Sequence, residues 1–207
     1  NLVSRSDGAN LGYDEGNRLK TFSLGGTTAS YVYDSLGRRI KKTVNGVTTW
    51  FLWDQTTLVA TFDGAGNRLT RFAYNPDDLT AAQFEDANGT YEVHVDSRQF
   101  PRFLTDGTQQ IVWSARYNVS GLATVDNNPD GDGNTITFAQ RFPGQYLDDE
   151  SGFYYNYARY YDPLVGRYVT ADPIGDGHNW YVYANNNSLV YVDPFGLAAC
   201  GLLDRLK

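Results

Sequence analysis

A phrase of seven or eight residues that returns after twenty sets the tightest limit on what this chain can fold into. Tyr13-Asp14 precedes Gly16-Asn17-Arg18-Leu19, and Tyr33-Asp34 precedes Gly37-Arg38-Arg39-Ile40, 20 residues further on. The ruler continues in degenerate form through Trp53-Asp54, Tyr74-Asn75, Val95-Asp96 and Tyr117-Asn118, at steps of 20 to 22 residues. Between these marks fall Asn45-Gly46, Gly66-Asn67, Asn88-Gly89, Asp106-Gly107 and Asp126-Asn127. Asn-Gly and Asp-Gly tolerate the positive φ of tight hairpin turns. A repeat this short holds one supersecondary unit. Each unit reads as a strand, a turn and a returning strand, with alternation in "TTASYVYD", "TTWFLWD" and "GTYEVHVD". One hairpin cannot bury its aromatic face, but stacked copies can, aligning Tyr, Phe and Trp from strand to strand. The expectation is an all-β chain with little helix. In it the Asp of each Tyr-Asp turns its carboxylate onto backbone N–H groups. The aromatic residues are then architectural; a sugar-binding tyrosine ladder is the functional alternative.

Composition agrees and excludes several functions. The 16 Tyr, 11 Phe and 4 Trp suit a pleated, half-buried surface, and 21 glycines supply turns. A net charge of -7 with scattered Lys and Arg argues against an electrostatic grip on nucleic acid or on an anionic membrane. One cysteine permits no internal disulfide, and with two histidines it makes a zinc site improbable. No apolar run is long enough to span a membrane. The first residue is Asn, with no signal-peptide pattern after it, so the chain reads as a piece of something longer whose targeting signal lies elsewhere.

Tyr-Asp followed after one or two residues by Gly-Arg/Asn-Arg-Leu/Ile resembles, at this spacing, the YD repeats of the Rhs family, which includes teneurins and the C components of insecticidal toxin complexes. Gly144 to Leu197 resembles the Rhs repeat-associated core domain along its whole length. The matching elements are "ESGFYYN", "RYYDP", "GRY", "DPIG", "NWYVYANN" and the final "DPFGL". The family has Asn-Pro where this chain has Asn186-Asn187, and a different Gly-rich linker in place of "GDGHN". The resemblance implies a spiralling sheet or hollow shell of YD hairpins, residues 1–140, closed by a core-associated plug, 141–197. Residues 198–207 would begin a variable C-terminal segment. In bacterial members such a plug acts as an aspartyl-type self-protease that cuts after the Leu of Asp-Pro-x-Gly-Leu, leaving a C-terminal toxin inside the shell. That places the cut between Leu197 and Ala198, where the sequence changes character.

Amide hydrolysis by two carboxylates needs one neutral and one ionised, and two carboxyls held close share a proton because both cannot ionise cheaply. Asp172 and Asp193 are the candidate pair, each opening an Asp-Pro-x-Gly motif whose proline stiffens the turn. Arg159 is the third member: a guanidinium can orient a carboxylate bidentately. The family pattern also points to an Arg in "RYYDP". Arg167 and Asp162 are reserves. Without catalysis, an Asp-Pro turn simply uses its Asp as a backbone cap.

"DNNPDGDGNTIT" places Asp126, Asn128, Asp130, Asp132 and Asn134 like the first half of a calcium loop, with Thr137 where a bidentate Glu belongs. The plain reading is an Asp/Gly loop between repeats and plug. No other cofactor is expected. His94 reads as a cross-strand or exposed residue; His178 lies six residues after Asp172. Cys200 falls beyond the cut and has no papain-like partner.

Two functions remain. The first is a self-cleaving, toxin-encapsulating shell of a secreted bacterial polymorphic toxin. Its partners are its own C-terminal segment and neighbouring repeats. The second is an extracellular structural or adhesive surface protein, in which the sheet serves self-assembly or carbohydrate contact and the Asp residues only form turns.

Overall fold

The computed structural model describes residues 1–76, 78–175, 179–188 and 190–201. Twelve strands run in chain order as one antiparallel meander. They are β1 (Asn10–Tyr13), β2 (Leu19–Leu24), β3 (Thr27–Tyr33), β4 (Arg39–Val44), β5 (Val47–Asp54) and β6 (Thr57–Asp63). After them come β7 (Arg68–Ala73), β8 (Gln83–Glu85), β9 (Thr90–Val95), β10 (Pro101–Thr105), β11 (Ile111–Tyr117) and β12 (Ala123–Asp126). β1 and β12 are edges, so the sheet does not close into a barrel. A second sheet holds β13 (Tyr146–Asp148), β14 (Phe153–Asn156), β15 (Arg159–Asp162) and β16 (Arg167–Tyr168). A third pairs β17 (Tyr191–Val192) with β18 (Cys200–Gly201). Among the described residues there is no α-helix, only a 3-10 turn at Ala184–Asn186.

The two turn series of the sequence mark the two ends of the meander. Residues 14, 34, 54, 75, 96 and 118 all fall at one end, and 45, 66, 88 and 106 at the other. The Asx chemistry follows a different rule from the twenty-residue ruler. Oδ1 of Asp14, Asp34 and Asp96, and of Asn118, accepts the amides two and four residues on, at 2.9–3.1 Å. Asp54 does not act this way: it pairs in register with Thr57 across the two-residue turn Gln55-Thr56. Asn75 instead bonds Asp78 from its side-chain amide. Asp63 and Asp106, at the opposite end, adopt the same two-and-four pattern.

In the first four YD phrases the aromatic residue staples its hairpin to the chain before it. Tyr13 Oη donates to the Leu2 carbonyl, Tyr33 Oη to Leu19, Trp53 Nε1 to Arg39 and Tyr74 Oη to Leu58, at 2.6–2.9 Å. The arginine of the phrase reaches forward instead: Arg38 pairs with Asp34 and also donates to the Gln55 carbonyl at 2.7 Å. Tyrosine and arginine thus stitch successive repeats in opposite directions.

One face of the meander is apolar and the second sheet packs on it. In β3, Ala29 and Tyr31 are buried while Thr28, Ser30 and Val32 are exposed, the period of a strand covered on one side. β14 and β15 are buried at every position, because both their faces are covered. Phe153, Tyr155 and Tyr160 pack on Leu11, Leu19, Phe22 and Tyr31 of the meander. Tyr154 and Tyr161 turn the other way, towards Phe100, Phe142, Tyr168 and Tyr183. Ring pairs such as Phe22–Phe153 (6.1 Å) and Tyr31–Tyr160 (5.7 Å) are worth about 0.5–1.5 kcal/mol each beyond their area.

A buried charge cluster crosses the same interface. Arg39 of β4 is wholly buried and bonds Asp148 of β13, itself wholly buried. The guanidinium lies 4.4 Å from the ring centres of both Phe51 and Tyr155. Lys42 meets Asp148 at 2.9 Å and Glu150 at 3.0 Å. Burial alone would push the Asp148 carboxyl up, but Arg39 and Lys42 outweigh it and hold it below the usual carboxylate range.

Candidate functional site

The β14–β15 hairpin and the Asp-Pro-Phe-Gly turn build the site between them. Tyr157, at the hairpin's tip, takes φ +52°, and the next amide, Ala158 N, donates to the Phe195 carbonyl at 3.1 Å. Gly196 lies so close that a Cβ there would meet the Asn156 carbonyl oxygen at 2.6 Å, and its φ is +66°. Only glycine meets both demands. The turn is therefore pressed onto the start of β15, directly over Arg159.

Arg159 is 3% exposed in its side chain and spends its donors on three segments. Nε donates to the Gly196 carbonyl at 2.6 Å and Nη1 to the Trp180 carbonyl at 3.1 Å. Nη2 lies 3.1 Å from Asp193 Oδ2 and 3.4 Å from Asp172 Oδ2. One guanidinium nitrogen therefore gathers both candidate acids, whose side chains are 2% and 8% exposed.

Asp193 closes the loop that carries the proposed cut. Its Oδ1 accepts the amide protons of Leu197 at 3.0 Å and Ala198 at 3.2 Å. Its Oδ2 accepts from the Tyr168 hydroxyl at 2.8 Å as well as from Arg159. This differs from Asp14, Asp34 and Asp96, which bond amides two and four residues on. The strands flanking the loop pair with each other, Val192 opposite Cys200, so the Leu197-Ala198 bond sits in a short β-return with Ala198 exposed. Asp172 is held from the other side: its N–H donates to the Trp180 carbonyl at 2.9 Å and its Oδ1 accepts from Ile174 N at 2.9 Å.

Arg159 brings Asp172 and Asp193 together, and Asp193 lies next to the expected bond. The reserves stand apart from it. Asp162 accepts from Leu164 N, with its carboxyl pushed up chiefly by burial, and Arg167 is exposed. His178 lies outside the described residues, as do residues 202–207 of the C-terminal segment. His94 is a cross-strand residue, stacked on Phe103 at 4.4 Å with Nε2 2.9 Å from Thr105 Oγ1. In the calcium-like loop, Asp126 and Asp132 turn their carboxylates onto the amides of Asn128 and Asn134. Among the described residues no three His, Cys, Asp or Glu side chains gather as metal ligands.

Two participants escaped the sequence reading. The Tyr168 ring lies under the Arg159 guanidinium, 3.7 Å from its carbon, and burial followed by the Asp193 charge holds its hydroxyl well above the ordinary tyrosine range. Asn156 Nδ2 donates to Tyr168 Oη at 2.8 Å and to the Asp193 carbonyl at 2.7 Å. Both stand in matched motif elements, "FYYN" and "GRY", yet nothing in their spacing separates them from the packing tyrosines around them.

Residues 2–188 match the family model described as teneurin YD-shell. The chain belongs to the teneurin YD-shell family. Two relatives cover almost all of this YD-shell chain. The double-stranded DNA deaminase toxin A of Burkholderia cenocepacia is 32% identical over 96% of it, and the probable deoxyribonuclease RhsA of Dickeya dadantii is 33% identical over 92%. The chain spans only 16% and 14% of those relatives' own lengths. The Photorhabdus luminescens Tc holotoxin pore contains a chain with the same fold: TM-score 0.70 and 21% identity, over 96% of this YD-shell chain and 10% of the other. No helix among the described residues is long and apolar enough to cross a membrane.

Proposed function

We propose that this chain is the closing section of a YD shell around a C-terminal toxic cargo, and that it cuts its own backbone between Leu197 and Ala198. The observation that carries the reading is the placement of Asp193, with Oδ1 at the Ala198 amide nitrogen and Oδ2 on the Arg159 nitrogen that also reaches Asp172. The names of the relatives add support. Two proteins similar along the same residues are named for different activities, a deaminase and a deoxyribonuclease. A region common to both fits a carrier better than the source of either activity. The cargo's own chemistry then lies downstream, and secretion or display at a bacterial surface follows from such a role.

In this mechanism water adds to the Leu197 carbonyl carbon while Asp193, as the base, takes one of its protons. Asp172, held on the same Arg159 nitrogen, serves as the acid partner to the oxygen that gains charge. The Ala198 nitrogen becomes pyramidal in the tetrahedral intermediate and receives its proton from Asp193, which already lies beside it. The C–N bond breaks, leaving a Leu197 carboxylate and an Ala198 amine. A single-turnover reaction needs no open substrate cleft, since the loop itself is the substrate.

One observation favours the scaffold reading: Asp193 Oδ1 also satisfies two main-chain amides, as a turn-forming Asp does. Intact mass separates the two. Loss of residues 198–207 in the wild type, with the whole mass retained in Asp172→Asn and Asp193→Asn, supports self-cleavage. An uncut wild type supports the scaffold.

A further inference from the structure

We infer that Tyr168, fixed by Asn156, is a positioning residue for the acid pair, and this rests on the self-cleavage reading above. The Tyr168 hydroxyl accepts from Asn156 Nδ2 at 2.8 Å and donates to Asp193 Oδ2 at 2.8 Å. The acceptor role fixes the donor role. With an N–H directed at its oxygen, the hydroxyl has its own proton free to aim at the carboxylate. Asn156 is wholly buried and uses the same amide group on the Asp193 carbonyl at 2.7 Å, so it clamps Asp193 through its backbone and, via Tyr168, through its side chain. The ring of Tyr168 meanwhile supports the Arg159 guanidinium face-on at 3.7 Å. One side chain thus holds both the acid at the cut and the cation that links the two acids.

The consequence is geometric. Oδ2 of Asp193 is pinned by Tyr168 and Arg159, which leaves Oδ1 turned towards the Leu197 and Ala198 amides. Without the hydroxyl, Arg159 alone holds Oδ2, and the carboxylate gains freedom to rotate away from the Ala198 nitrogen. Tyr168 touches no reacting atom itself. The described charged and titratable groups facing Asp193 are Arg159, Tyr168 and Tyr183, with Asp172 joined through Arg159.

The test compares Tyr168→Phe with Tyr161→Phe in the full chain, following cleavage by mass after synthesis across a pH series. Tyr161 is about as buried as Tyr168 but gives its hydroxyl to the Ser120 carbonyl at 2.6 Å instead of to an acid. Tyr168→Phe keeps the ring under Arg159 and is expected to slow cleavage about ten- to a hundred-fold, the worth of a hydrogen bond to a charged group. The pH profile of its cleavage rate should also differ from the wild type's, which a merely structural loss would leave unchanged. Tyr161→Phe should leave both rate and profile unchanged. Equal slowing in the two variants, or a Tyr168→Phe chain with wild-type rate and profile, overturns the inference. A wild type that stays whole overturns the self-cleavage reading itself, a different result. Should Tyr168→Phe fail to fold, Asn156→Ser removes the orienting donor and is read against the same control.

Discussion

The amide nitrogen of Ala198 lies 3.2 Å from Oδ1 of Asp193, five residues earlier in the chain. The acid and the bond it faces belong to one short loop, so neither can be displaced without the other. Arg159 ties that loop to the β14–β15 hairpin through the Gly196 carbonyl, at 2.6 Å. The hairpin in turn is buried between the meander and the cluster of Phe142, Tyr168 and Tyr183. The site therefore forms only when the second sheet has packed on the first.

Gly196→Ala tests that coupling. The added methyl meets the Asn156 carbonyl and the backbone is forced into a conformation alanine disfavours. A destabilisation of about 1–3 kcal/mol is expected from the backbone alone. Cleavage should fall more than the melting temperature suggests, because the turn must lift off Arg159. Thermal unfolding and intact mass on the same preparation check both.

The Arg39–Asp148 pair predicts how the two sheets part. Removing Arg39, as in Arg39→Met, leaves a buried carboxylate with Lys42 as its remaining cation and should cost about 3–5 kcal/mol in urea unfolding. The pH dependence has a definite sign. The folded-state Asp148 carboxyl is held below its usual value, so its contribution is full above the ordinary carboxylate range and fades as pH falls through and below about 4. Wild type and Asp148→Asn should differ most at neutral pH and draw together as pH falls below the ordinary carboxylate range.

The tyrosine staples predict a contrast within one residue type. Tyr33→Phe loses the bond to the Leu19 carbonyl and should lower stability by about 0.5–1.5 kcal/mol. Tyr117 occupies the equivalent place in the last phrase, yet its buried hydroxyl meets no hydrogen-bond partner among the described residues. Tyr117→Phe should be neutral or stabilising. Urea midpoints of the two variants, measured side by side, decide it.

Much of the fold was legible because its period was. The 20-residue spacing located both ends of the meander, and the alternation in "TTASYVYD" located a buried face. The spacing could not say which Asp caps a loop. Asp54 has the right place but a two-residue turn beside it, whereas Asp63 lies off the ruler and has a turn long enough to fold back on. Arg39 was legible only as part of a phrase. Its burial is decided by Asp148, 109 residues away, and no local pattern reports such a partner. In the site, Asp172, Asp193 and Arg159 stood out because Asp-Pro-x-Gly occurs twice and "RYYDP" carries an arginine. Tyr168 and Asn156 did not, since one tyrosine among sixteen is singled out only by the neighbour its hydroxyl meets.

The most direct test of the central proposal is the intact mass of the full chain, taken beside Asp193→Asn and Asp172→Asn. Self-cleavage predicts a wild-type species ending at Leu197 and a fragment beginning at Ala198, with both variants whole. A wild-type chain that keeps residues 198–207 under every folding condition, indistinguishable from the variants, contradicts it.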